Sequence, residues 1–175
     1  IINNHFSGYS QSAVFMNRGG QNITIAKNVM DGSNIAGSGQ AIFGNGPQTF
    51  AVPYITDNWV INNLGRYGFF VDGDHNVGES GTRAALISGN TFSNNLQALN
   101  LGPRSFGKLG LPLLGTYAGT ISNNLFVSHT ANGIQAGLQH VLVTRNRFSN
   151  NALSGPALTS FGSAAVDRGS RTNVI

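Results

Sequence analysis

The chain has 175 residues, only 9% of them charged, and a net charge of +4. Gly, Asn and Ser supply 24, 22 and 16 residues, yet Leu, Ile, Val and Phe together supply 48, or 27%, more than disordered chains carry. The longest run free of Gly, Pro and Asn is eight residues (Tyr9 to Met16, matched by Leu138 to Arg145), too short for ordinary helices. Composition therefore points to an all-β chain of many short strands.

One pattern recurs along the whole length: an Ile or Val, two residues, an Asn, one residue, then usually a large apolar side chain. In chain order the copies are Ile1 to Phe6, Ile25 to Met30, Val60 to Gly65, Ile87 to Phe92, Ile121 to Phe126 and Val143 to Phe148. The third copy is the poorest, with Gly65 where Phe is expected, and its register could slip by one. The repeated residues are Asn4, Asn28, Asn63, Asn90, Asn124 and Asn146. Their spacings of 24, 35, 27, 34 and 22 fit a unit of 22–24 residues with insertions, the length of one β-solenoid turn of three short strands.

A second strand-like segment follows each Asn. These are Ala13 to Met16, Ala41 to Phe43, Gly68 to Val71, Ala98 to Leu101, Gly133 to Ala136 and Ala157 to Ser160. Alternation predicts Val14, Ile42, Phe69, Leu99, Ile134 and Leu158 inward, and Phe15, Phe43, Phe70, Asn100, Gln135 and Thr159 outward. Each Asn suits a sharp bend. It tolerates left-handed backbone, and its amide can hydrogen-bond up and down a stack of equivalent residues. The Phe two residues on returns to the interior, where Phe92, Phe126 and Phe148 can stack.

These Ile/Val-x-x-Asn-x-Phe units resemble the right-handed parallel β-helix of the pectate-lyase-like superfamily, over essentially the whole chain. The resemblance implies three parallel sheets, about six coils and an asparagine ladder in one tight turn. It implies a single solenoid domain over residues 1–175. It is nearly silent on function, because the fold hosts many chemistries.

Beginning and end sit at almost the same phase of the repeat, and no amphipathic helix is available as a cap. The expected partner is therefore another copy end to end, or further coils of the same chain. Insertions are expected at 44–57, 72–84, 102–118 and 161–172, where loops carry function. No apolar run approaches the ~20 residues of a membrane span. The chain has no Cys, and its basic residues are scattered, which argues against nucleic acid and leaves an acidic glycan as a partner.

Two groups of residues are candidates for binding or chemistry. The outward column Phe15, Phe43 and Phe70 offers aromatic faces to sugar rings, unless loops fold back and bury it. The cluster Arg66, Tyr67, Asp72, Asp74, His75, Glu79 and Arg83 holds three of the six acids, with Arg104 and Lys108 one coil later. If it is catalytic, the resemblance implies a polysaccharide lyase or uronate epimerase. Tyr67 and His75 would then move protons, Arg66 or Arg104 would clamp a carboxylate, and Asp72 and Asp74 would orient it or hold calcium. Asp-Gly-Asp-His-Asn is also ordinary turn chemistry. The leading expectation is an extracellular or surface-exposed structural or adhesive solenoid. The lyase or epimerase is the alternative, and a trimeric tailspike-like domain is a weaker one.

Overall fold

A computed structural model describes residues 1–16, 23–33, 39–45, 54–72, 86–101, 119–131, 133–136, 141–151, 158–160 and 165–166, in places by backbone alone. In chain order the strands are β1 (His5–Ser7), β2 (Ser12–Met16), β3 (Thr24–Ala26), β4 (Val29–Asp31), β5 (Gln40–Asn45) and β6 (Tyr54–Thr56). Then come β7 (Trp59–Ile61), β8 (Tyr67–Asp72), β9 (Leu86–Ser88), β10 (Thr91–Ser93), β11 (Gln97–Leu101) and β12 (Gly119–Ser122). The last are β13 (Leu125–Val127), β14 (Ile134–Ala136), β15 (Val141–Thr144), β16 (Arg147–Ser149), β17 (Leu158–Ser160) and β18 (Ala165–Val166). No helix occurs among the described residues, as the density of Gly and Asn requires.

Every third strand joins the same sheet, so three six-stranded parallel sheets form: sheet one (β3, β6, β9, β12, β15, β18), sheet two (β1, β4, β7, β10, β13, β16) and sheet three (β2, β5, β8, β11, β14, β17). In-register pairing stacks like upon like. Sheet one lines up Ile25, Ile55, Ile87, Ile121 and Val143, all at most 2% exposed. Sheet two lines up Phe6, Met30, Val60, Phe92, Phe126 and Phe148. Sheet three lines up Val14, Ile42, Phe69, Leu99, Ile134 and Leu158. The three columns meet in one core, with sheet three contributing Val14, Ile42, Phe69, Leu99 and Ile134. Within it Phe126 stacks on Phe92 (centroids 5.3 Å apart, planes at 7°) and on Phe148 (4.8 Å, 16°). Parallel in-register strands bring each ring over the next at about the strand spacing.

The asparagine ladder lies in the bend between sheets one and two, and its third member is Asn58, not Asn63. The repeat at that point is Ile55-Thr56-Asp57-Asn58-Trp59-Val60, which places β6 inside the insertion expected at 44–57. Val60, not Gly65, takes the Phe position. The physical reason is the hydrogen bonding. Asn28 donates both its backbone N–H and its Nδ2 to Asn58 Oδ1, each at 3.0 Å, and Asn58 does the same to Asn90 Oδ1 at 2.9 Å. The ladder steps are thus 24, 30, 32, 34 and 22 residues.

The left-handed residue of each bend is the one before the ladder Asn. Asn3, Lys27, Asp57, Gly89, Asn123 and Arg145 have φ of 60°, 56°, 56°, 70°, 56° and 54°. Only Gly adopts that backbone without strain, and Lys and Arg gain no side-chain help there.

Candidate functional site

The first ladder saturates its amides. Each internal Oδ1 accepts two hydrogen bonds from the preceding member. Each internal Nδ2 gives one to the next Oδ1 and one to a backbone carbonyl of the preceding repeat, as Asn58 does to Ile25 (2.8 Å) and Asn124 to Ile87 (2.9 Å). Buried amides so placed leave no polar group unpaired.

Asn63 begins the clearest part of a second ladder, in the bend between sheets two and three. Its N–H and Nδ2 donate to Asn95 Oδ1 at 3.0 and 2.7 Å. Asn95 N–H donates to His129 Nδ1 at 3.2 Å, and His129 N–H to Asn151 Oδ1 at 3.1 Å. The signal for this ladder is in the sequence: the second position always stands five residues after the first, as in Asn58/Asn63, Asn90/Asn95 and Asn146/Asn151. The spacing holds because the strands of sheet two between the bends are all three residues long.

This second bend positions a surface groove. The Asn63 carbonyl accepts Arg66 N–H at 3.3 Å, turning the chain so that Arg66 is exposed just before β8. A groove of about 480 Å³ brings Arg66 together with Phe15, Gln11, Ser12, Gln40 and Ser10, three of them on β2 and β5. Gly39 is its floor. A Cβ there would overlap the Gln11 carbonyl, so only Gly lets the chain before β2 lie against the chain before β5. Phe15 is 51% exposed, although its outward direction alternates with buried Val14 and Met16. The groove thus joins an aromatic face, one guanidinium and several amide and hydroxyl groups, and no carboxylate is among the described residues that line it. That combination suits a ligand with an apolar ring face and a negative charge.

The candidate residues divide accordingly. Phe15 and Arg66, assigned to different roles by the sequence, meet in one groove. Phe43 and Phe70 pair in backbone register with Phe15, but their side chains lie outside the described residues. Tyr67 is half-buried and lies opposite Gln97, on the same side of β8 as the core residue Phe69. Asp72 ends β8 opposite Asn45, described by its backbone only. Asp74, His75 and Arg104 lie outside the described residues, as do Glu79, Arg83 and Lys108. Gln11 and Gln40 were missed by the sequence reading, because single glutamines carry no spacing signal. No family model, curated protein or solved structure matches the chain.

Proposed function

We propose that this chain is an extracellular or surface-exposed β-solenoid scaffold that holds an acidic glycan in the groove of Phe15 and Arg66. The observation that carries the reading is the meeting of an exposed aromatic ring and an exposed guanidinium in one groove on a rigid wall. A sugar's apolar face would lie on Phe15, and its carboxylate or sulfate would pair with Arg66. The backbone register of Phe43 and Phe70 extends the same line along the stack, which suits a polymer more than a single sugar.

The finer architecture belongs to this proposal too. Right-handed winding follows from the handedness of parallel crossovers, and about six coils from six strands per sheet. Kinship with the pectate-lyase-like superfamily rests on the repeat itself. The outer edges of β1 and β2 are suited to pair with another copy or with further coils, so assembly along the axis is part of the reading.

The test is equilibrium binding of uronate oligosaccharides and their neutral counterparts to the chain, Phe15→Ala and Arg66→Gln. The wild type should prefer the acidic series. Arg66→Gln should lose the preference, and Phe15→Ala should lose binding to both. Wild-type binding that ignores charge, or that survives both substitutions, would overturn the assignment. Release of unsaturated sugars would replace the scaffold with the lyase.

A further inference from the structure

His129 occupies a ladder position built for asparagine. Asn63 and Asn95 each accept or donate through both amide atoms, whereas a neutral imidazole has one acceptor and one donor nitrogen. Nδ1 accepts Asn95 N–H at 3.2 Å, which assigns the ring proton to Nε2. Nε2 is buried without a hydrogen-bond partner among the described residues, and the whole residue is 2% exposed. The ring is therefore held at one atom, and that atom must stay unprotonated.

Among the described residues, charge has nothing to meet there. β10, β13 and the bends that follow them carry no ionisable side chain other than His129 itself. Asn151, reached across the next step, is neutral. Arg145 and Arg147, on β16 and the bend before it, are exposed. Burial pushes the ring down to about 4, against the smaller opposing pull of the backbone at Asn95 and Phe92. The Phe92 carbonyl favours a charged ring without lying in hydrogen-bond geometry with Nε2. A proton on Nδ1 would set two donors against each other, ring N–H and Asn95 N–H.

We propose that His129 makes the second ladder acid-labile: protonation of its ring opens the step between Asn95 and His129, while the first ladder, all asparagine, stays closed. Acid then loosens one edge of sheet two and leaves the other intact. The device is independent of the groove and of what the groove binds.

The test is NMR on the full chain between pH 7 and 4, following the His129 ring and two amides. Asn95 N–H reports the His129 step, and Asn90 N–H, bonded to Asn124 Oδ1 at 2.9 Å, reports the first ladder. Corrected for intrinsic exchange, Asn95 protection should fall roughly 100-fold over this range while Asn90 protection falls far less. His129→Asn should hold Asn95 protection across the range. A ring that titrates near its ordinary value, two amides that lose protection together, or a variant that follows the wild-type curve would each overturn the proposal. Should the variant fail to fold, the wild-type comparison of the two amides still decides.

Discussion

The two bends that flank sheet two have the same job and different chemistry. Each must reverse the chain, satisfy buried backbone groups and transmit a hydrogen-bonded register along the stack. The bend between sheets one and two does this with asparagine at all six positions: Asn4, Asn28, Asn58, Asn90, Asn124 and Asn146. The bend between sheets two and three uses Tyr9, Ser33, Asn63, Asn95, His129 and Asn151 at register-equivalent places. The first bend is uniform because each amide must match identical partners on both sides. The second admits exchange with different outcomes: Tyr9 finds an acceptor two turns away, whereas His129 Nε2 has no partner among the described residues.

Tyr9 shows how such an exchange works. Its hydroxyl donates to Asn63 Oδ1 at 2.5 Å, across 54 residues of sequence and past the intervening strand β4. Burial holds the phenol well above its usual range, with Asp31 adding to the rise and the Asn63 bond opposing it. The path is open because Gly32 has no side chain. A Cβ there would sit 2.8 Å from Asn63 Oδ1 and 2.6 Å from the Asn62 carbonyl. Asp31 meanwhile accepts from Ser33 N–H (2.7 Å) and Asn62 Nδ2 (2.9 Å), a local turn in place of a ladder step.

The difference can be sharpened by substitution, read as unfolding free energy in denaturant. Asn90→Ala should cost most, about 4 kcal/mol, because it strands the Asn58 N–H and Nδ2 and the Ile55 carbonyl in the interior. Asn95→Ala should cost about 1 kcal/mol less. It strands two Asn63 donors and the Val60 carbonyl but breaks no onward amide bond. Equal costs would mean that the two ladders are energetically alike, and the contrast drawn between them would fail. Gly32→Ala should follow, at about 2 kcal/mol, through the overlap with Asn62 and Asn63.

His129→Asn should change stability in the opposite direction, by about 1 kcal/mol at neutral pH, by completing the ladder. The gain should depend on pH. The folded ring titrates at about 4, below the 6.5 of an unfolded histidine, so the unfolded chain binds more protons between those values. Wild-type stability should therefore be highest above 6.5, decline as pH falls to about 4 and lose no more from this group below that. Parallel wild-type and variant curves across that window would exclude His129 as the source. The smallest effect should come from the first bend: Lys27→Gly removes a left-handed lysine (φ 56°) and should add about 0.5 kcal/mol, measurable as a shift in the unfolding midpoint.

Much of the fold is legible in the sequence. Five of the six first-ladder asparagines, the stacked Phe92, Phe126 and Phe148, and the inward Val14, Ile42, Phe69, Leu99 and Ile134 of sheet three follow from a short repeat whose spacing is set by strand length. Asn63 was misread because it is a ladder asparagine in its own right, five residues after Asn58, and Val60 stands three residues before it as the pattern requires. The groove was legible only as separate residues. The repeat aligned Phe15, Phe43 and Phe70 on successive turns, but Phe15 and Arg66 lie 51 positions apart and Arg66 stands before its strand, where alternation assigns no direction.

By itself the sequence determined the class of structure: few charges, no helix-length run and a recurrent Asn at a bend leave an in-register parallel stack. Local rules suffice for this, because bend chemistry and strand alternation act over a few residues. Only the tertiary structure decided which asparagine belongs to which ladder, that His129 sits in an amide's place, and that Phe15 meets Arg66. Those are facts of stacking, in which the partner of a residue lies one turn of the solenoid away, at a distance in sequence that the insertions vary.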